Sequence, residues 1–96
     1  MIKLFKVSGD SLYPIFKNKD IVLSLSPKFI NLKINDIVVF KHKDYGLMIK
    51  QIQQISIINN IKYYYVIGTN ASSIDSRNFG YIEENNITYK VVFKII

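Results

Sequence analysis

Two apolar runs, residues 47–58 and 61–67, are separated by nothing but Asn59-Asn60. Asparagine tolerates positive φ, so this pair between such runs marks a two-residue hairpin turn. The middle of the chain is thereby committed to antiparallel sheet. Residues 2–7, 20–26, 36–42 and 87–95 read as further strands, with Pro27 ending the second. Lys43-Asp44-Tyr45-Gly46 turns 36–42 into 47–58, and Pro14 sets a turn or a single helical turn after the first strand. Gly68 to Gly80 reads as a long polar loop, and helical periodicity is sustained nowhere over about ten residues. The expected fold is mostly β: a compact, coiled antiparallel sheet or barrel-like domain, with 1–96 as a single unit.

At 96 residues the chain is long enough for one modest core, built from the Ile, Val, Tyr and Phe that favour strands. It has no cysteine, which excludes disulfides and thiolate metal sites. No segment approaches the ~18 apolar residues that cross a bilayer. Met1-Ile2-Lys3-Leu4-Phe5-Lys6 is too short and too interrupted by lysine for a signal peptide. The expected location is cytoplasmic, with peripheral membrane contact open. The alternative is membrane association through an N-terminal anchor missing from this sequence. The net charge of +6 comes from lysines scattered singly, and Arg77 is the one arginine. Abundant Lys, Asn and Ile are what an A/T-rich genome produces, so the charge alone points to no partner and no nucleic acid is expected.

Three short blocks carry the chemistry. Gly9-Asp10-Ser11-Leu12-Tyr13-Pro14 puts a serine just before a proline turn. Met48-Ile49-Lys50 puts a lysine inside an apolar strand, on the face shared by Met48 and Ile52. Ser73-Ile74-Asp75-Ser76-Arg77 lies in the polar loop. A serine hydroxyl needs a base to become a nucleophile. The one histidine, His42, sits between two lysines beside a turn and reads as a solvated surface residue. A lysine serves instead if burial lowers its pKa from about 10.4 to roughly 7–8. Such a shift costs on the order of 4 kcal/mol, which the fold must supply.

Each block also has a plain reading. Lys50 snorkels from a half-buried strand, Ser11 caps a turn, and the loop holds an exposed ion pair of little energetic weight. On the chemical reading, Gly9 lets backbone approach a ligand and the Ser11 amide faces a developing oxyanion. Asp10 reads as a turn or surface carboxylate. Ser73 is placed to hydrogen-bond a neutral lysine amine. Asp75 and Arg77, two apart, share a face if the segment is extended and form a charge-assisted brace.

Together the blocks resemble the type I signal peptidase family and its small soluble relatives. The Gly-x-Ser-Met-x-Pro box of that family appears as Gly9 to Pro14, and its Gly-Asp-hydrophobic strand as Asn35-Asp36-Ile37-Val38-Val39-Phe40. Its Lys-Arg box appears as Ile49-Lys50-Gln51. Its last box appears as Gly68-Thr69-Asn70 through Ser73-Ile74-Asp75-Ser76-Arg77-Asn78-Phe79-Gly80. The resemblance implies Ser11 as nucleophile and Lys50 as general base, with Ser73 orienting the lysine and Asp75 and Arg77 bracing the site. It places the oxyanion hole and substrate groove around Gly9, Leu12 and Pro14, with no metal and no cofactor. It also implies the coiled β fold of LexA-type self-cleaving domains.

The departures from the pattern are specific. Leu12 replaces methionine, and Ile15-Phe16 replaces Thr-Leu. Gln51 replaces a basic residue, while Asn35 and Thr69 replace Gly and Asp. The short length resembles the soluble branch that matures nickel-type superoxide dismutase. The expected activity is therefore a serine endopeptidase that removes an N-terminal leader from a protein precursor. That precursor is expected to be nickel-type superoxide dismutase. The alternatives are the catalytic domain of a signal peptidase acting on secretory precursors, a LexA-type self-cleaving regulator and a catalytically dead relative. A further one is a basic β-barrel that stacks bases on Tyr63, Tyr64 and Tyr65 beside Lys62.

Overall fold

The computed structural model describes residues 2–9, 11–27, 31–70 and 72–95. Asp10 lies outside them, so its expected role as a surface carboxylate has no structural counterpart here. Strands β1 (Ile2–Lys6), β2 (Ile21–Leu25), β3 (Ile37–His42), β4 (Gly46–Ile58), β5 (Ile61–Ile67), β6 (Ile82–Glu83) and β7 (Ile87–Lys94) form one sheet. Their order is β1-β2-β7-β3-β4-β5-β6, and neighbours run antiparallel. The mostly β, antiparallel fold expected from the sequence is the fold observed. Asn59 and Asn60 both take positive φ at the β4–β5 turn, as the hairpin requires.

The sheet coils on itself, so its two faces build two core clusters. One gathers Val38, Phe40, Ile52, Tyr64, Val66, Ile82 and Ile87. The other gathers Val7, Leu12, Phe16, Val22, Val39 and Val91. Successive residues Val38 and Val39 of β3 point into different clusters, as strand alternation demands. The middle of β3 and of β4 therefore runs between two apolar masses, and Lys50 there is desolvated by its neighbours.

Two features go beyond the sequence expectation. The Gly68 to Gly80 segment is not wholly loop: it contains a four-residue helix, α1 (Ser76–Phe79), and the short strand β6 follows it. A single helical turn is too brief to leave a periodic signature. The Asn35-Asp36 turn preceding β3 is also more elaborate than a simple strand entry. Asp36 accepts the Lys33 amide at 2.8 Å, Asn35 donates to Ile52 O at 2.8 Å, and Ile52 donates back to Asp36 O at 2.8 Å. Asn35 sits at φ +78°, which explains why glycine stands there in the family pattern and why asparagine is an acceptable replacement. Replacing Asn35 with Ala is expected to cost about 1 kcal/mol of stability, because a Cβ without a compensating side chain disfavours this conformation. Asn35→Gly should cost nothing; urea unfolding of the two variants checks the pair.

Candidate active site

Ser11 lies in the excursion between β1 and β2. The base of that excursion is closed by backbone bonds from Val7 N to Asp20 O and from Lys19 N to Val7 O, both 2.7 Å. Gly9, at φ +85°, donates to Asn18 Oδ1 at 3.0 Å. Leu12 and Phe16 plug into the second core cluster, with Leu12 only 1% exposed. The nucleophile candidate is thus the neighbour of a core anchor, and its place is set by packing as well as by the turn. The Tyr13–Pro14 peptide is cis.

Lys50 comes from the middle of β4, opposite Val38 across the ladder and on the face of Met48 and Ile52. Val38 and Ile52 are fully buried and Lys50 is 4% exposed, so it does not snorkel to solvent. Burial pulls its amine below the ordinary 10.5, and the Arg77 charge adds to that lowering. The Asp75 carboxylate acts in the opposite direction.

Asp75 is itself fully buried and densely bonded. Its carboxylate accepts Arg77 Nη2 at 2.6 Å, Arg77 Nε at 2.9 Å, the Arg77 amide at 3.0 Å and the Gly68 amide at 2.9 Å. Burial alone would raise this carboxyl. The Arg77 side chain, the two backbone amides and the guanidinium charge outweigh burial and hold the carboxyl below its usual range. Asp75 and Arg77 form an ion pair, but not on an extended segment. Asp75 is the N-cap of α1, in a capping box with Asn78, and Arg77 folds back onto it from the first turn. Next to it, Ser76 Oγ accepts the Val66 amide at 2.8 Å and ties α1 to β5.

Ser11, Lys50 and Ser73 line one cleft of about 500 Å³. Its walls come from Phe5, Val7, Leu47 and Ile74, among others. Ser73 Oγ is buried and has no hydrogen-bond partner, so the bond to the lysine amine expected from the sequence is not formed. The hydroxyl is left as an open donor and acceptor beside the cleft. Leu12 and Pro14 do not line this cleft: Leu12 belongs to the core and Pro14 faces solvent. Ser8, rather than Gly9, is the residue of that loop on the cleft wall. An apolar residue next to a nucleophile reads the same in sequence whether it faces substrate or core.

Gly68 is a key residue that the sequence reading treated only as part of a motif. A Cβ there would stand 2.5 Å from Ser11 O and 2.7 Å from Ser73 Oγ. Only a glycine lets β5 exit between the two serines. His42 also departs from the surface reading. It is half-buried, its Nδ1 accepts the Asp44 amide at 3.0 Å, and its ring packs 4.7 Å from Phe79 and 4.9 Å from Tyr45. It does not line the cleft. Tyr64 is buried in the core and Tyr65 packs against Tyr81 at 5.2 Å, so these tyrosines do not make an open stacking strip.

Two outcomes follow. Gly68→Ala is expected to lose about 1–3 kcal/mol, since the obstructing atom is backbone and the Ser11 loop must move; denaturant unfolding measures it. Lys50→Met removes an amine that the fold holds below its free pKa. Protonated lysine opposes folding fully below its folded pKa, and this penalty fades as pH rises to the unfolded value. The variant should therefore be more stable than wild type at pH 7, by a margin that narrows toward pH ~10.4. Urea midpoints across pH check both the sign and the narrowing.

The family model described as Peptidase S24-like matches residues 2–91, almost the whole of the chain and all of the site. No curated protein matches it.

Proposed function

We propose a function from one premise: the chain belongs to the Peptidase S24-like family. Within that LexA-type peptidase family, our reading is a serine endopeptidase with Ser11 as nucleophile and Lys50 as general base. The carrying observation is that a serine and a buried lysine of lowered pKa line the same cleft. This pairing is what serine activation without histidine requires.

The chemistry is written on these residues. Lys50 takes the Ser11 proton as Oγ attacks the scissile carbonyl carbon, and the oxyanion forms beside the Ser11 loop. Collapse of the tetrahedral intermediate breaks the C–N bond, and the Lys50 ammonium returns the proton to the leaving amine. The acyl group is then an ester of Ser11. Lys50 deprotonates a water that attacks this ester, and Ser11 leaves as the restored hydroxyl. Ser73 Oγ, unpartnered at the cleft, is available to hydrogen-bond the amine in this reading. Asp75 and Arg77 hold the surrounding segment.

The substrate in this reading is a protein precursor with an N-terminal leader, laid extended against a strand edge with small residues before the cut. Nickel-type superoxide dismutase is the first candidate. Secretory precursors are the alternative. No helix of the described residues is long and apolar enough to cross a membrane.

Incubation with leader-bearing nickel superoxide dismutase, read by mass spectrometry of new N-termini, tests the reading. A single new N-terminus is expected from wild type. Ser11→Ala and Lys50→Ala should each reduce the rate by on the order of 10⁴-fold or more. Cleavage that persists in Ser11→Ala would refute the mechanism, and cleavage of secretory precursors alone would replace the substrate.

The pH profile carries a second expectation. Because neutral Lys50 is the active form, kcat/KM should rise with pH through the pKa of this amine. Arg77→Gln removes a charge that lowers this pKa and uncovers the Asp75 charge that raises it. The rising limb should therefore move to higher pH in that variant; an unmoved limb would contradict the assignment.

A further inference from the structure

Thr69 is a position where this chain departs from the family pattern, and nothing in the reaction scheme above uses it. Its surroundings are specific. The Thr69 amide donates to Ser11 O at 2.6 Å, and the Asn70 amide lies at 3.4 Å from the same oxygen. The Thr69 hydroxyl lies within hydrogen-bond reach of both Ser11 O and Tyr13 O, with Tyr13 O much the closer. A hydroxyl has one proton to donate, so the nearer carbonyl takes it. The amide then serves Ser11 O and the hydroxyl serves Tyr13 O. One residue thereby grips the two carbonyls on either side of the core anchor Leu12.

The grip is rigid because its own segment is held at both ends. Gly68 N donates to Asp75 Oδ2 at 2.9 Å on one side of Thr69. Arg77 Nη2 donates to Asn70 O at 3.1 Å on the other. The ion pair therefore spans residues 68–70, and those residues span the Ser11 loop. Leu12 and the Val7–Asp20 closure hold that loop from the core side. Without the Thr69 side, the loop would be fixed along one flank only.

We propose that Thr69 is the positioning residue for the nucleophile: its hydroxyl locks the 11–13 segment so that Ser11 is held at the cleft that Lys50 also lines. This rests on the reading of Ser11 and Lys50 as nucleophile and base. It assigns to a threonine the connection between the Asp75–Arg77 brace and the serine, at a position where the family pattern carries a carboxylate. A purely structural role would instead make Thr69 one more exposed loop residue whose hydroxyl trades its carbonyl for water at little cost.

Thr69→Val keeps the shape and the backbone amide and removes only the hydroxyl. Thr69→Ser keeps the hydroxyl. With the leader-bearing superoxide dismutase precursor, Thr69→Val should lower kcat by about 10- to 100-fold with KM nearly unchanged, the penalty expected for a misaligned reactive group. Thr69→Ser should recover most of the rate. The midpoint of the rising pH limb should stay put, since Lys50 is untouched. Amide exchange gives a readout that needs no activity: protection of the Phe16 amide, bonded to Leu12 O, should fall in Thr69→Val and not in Thr69→Ser. Wild-type kcat in Thr69→Val, equal losses in both variants, a loss confined to KM, or unchanged exchange would each overturn the proposal. If wild type and Ser11→Ala are alike inert on every precursor, it is the peptidase reading that falls. Exchange alone then decides whether Thr69 clamps the loop.

Discussion

A lysine amine kept out of water beside a carboxylate would normally stay charged, and the rest of this site is arranged so that it need not. Lys50 and Asp75 are both buried, and the Asp75 charge pulls the Lys50 amine upward against its burial. Unopposed, that carboxylate would favour the charged amine. Arg77 opposes this by donating to the Asp75 carboxylate through its Nε and Nη2, while the Gly68 and Arg77 amides take further lone-pair positions. The Arg77 charge offsets part of the carboxylate's pull on Lys50, and desolvation prevails. In this arrangement the Asp75–Arg77 pair and the Lys50 amine are electrostatically linked.

The same residues organise the site mechanically. Asp75 caps α1, and through Gly68 it fixes the point where β5 passes between Ser11 and Ser73. The lysine arrives from β4, whose register is set by its long hairpin with β5 and by β3 on its other side. The serine arrives on a loop anchored in the opposite core cluster by Leu12 and Phe16. Three segments distant in sequence thus meet because the coiled sheet brings the end of β1 against the beginning of β4 across one cleft. The site depends on non-local contacts, and a core substitution that shifted either cluster would reach it.

Much of the sheet was legible in the chain. Asn59-Asn60 and the turn ending at Gly46 bracket β4 and β5, and their strand bounds follow within a residue. The positions of Ser11 and Lys50 in their motifs were legible too. The burial and lowered pKa of Lys50 were not, since the first depends on Val38 across the ladder and the second also on the charges of a distant loop. Asp75 and Arg77 were paired correctly but on the wrong backbone, because a four-residue helix has too little length for periodicity to register. Leu12 was assigned to a groove and packs in the core. His42 was read as solvated, yet it packs against Phe79, a contact between segments far apart in the chain. The neutral Gln51 and Thr69 stand where the family pattern has charges, and each finds a carbonyl instead: Asn35 O for Gln51, Ser11 and Tyr13 O for Thr69.

The central claim is that Lys50 carries a lowered pKa in the folded protein, and direct titration of that side chain tests it most simply. The ¹³Cε and ¹⁵Nζ resonances of Lys50, followed by NMR across pH in the wild-type protein, report the proton itself. The account predicts a midpoint clearly below the ordinary lysine value of 10.5. A midpoint at or above that value would contradict it, and would remove the base from the proposed reaction.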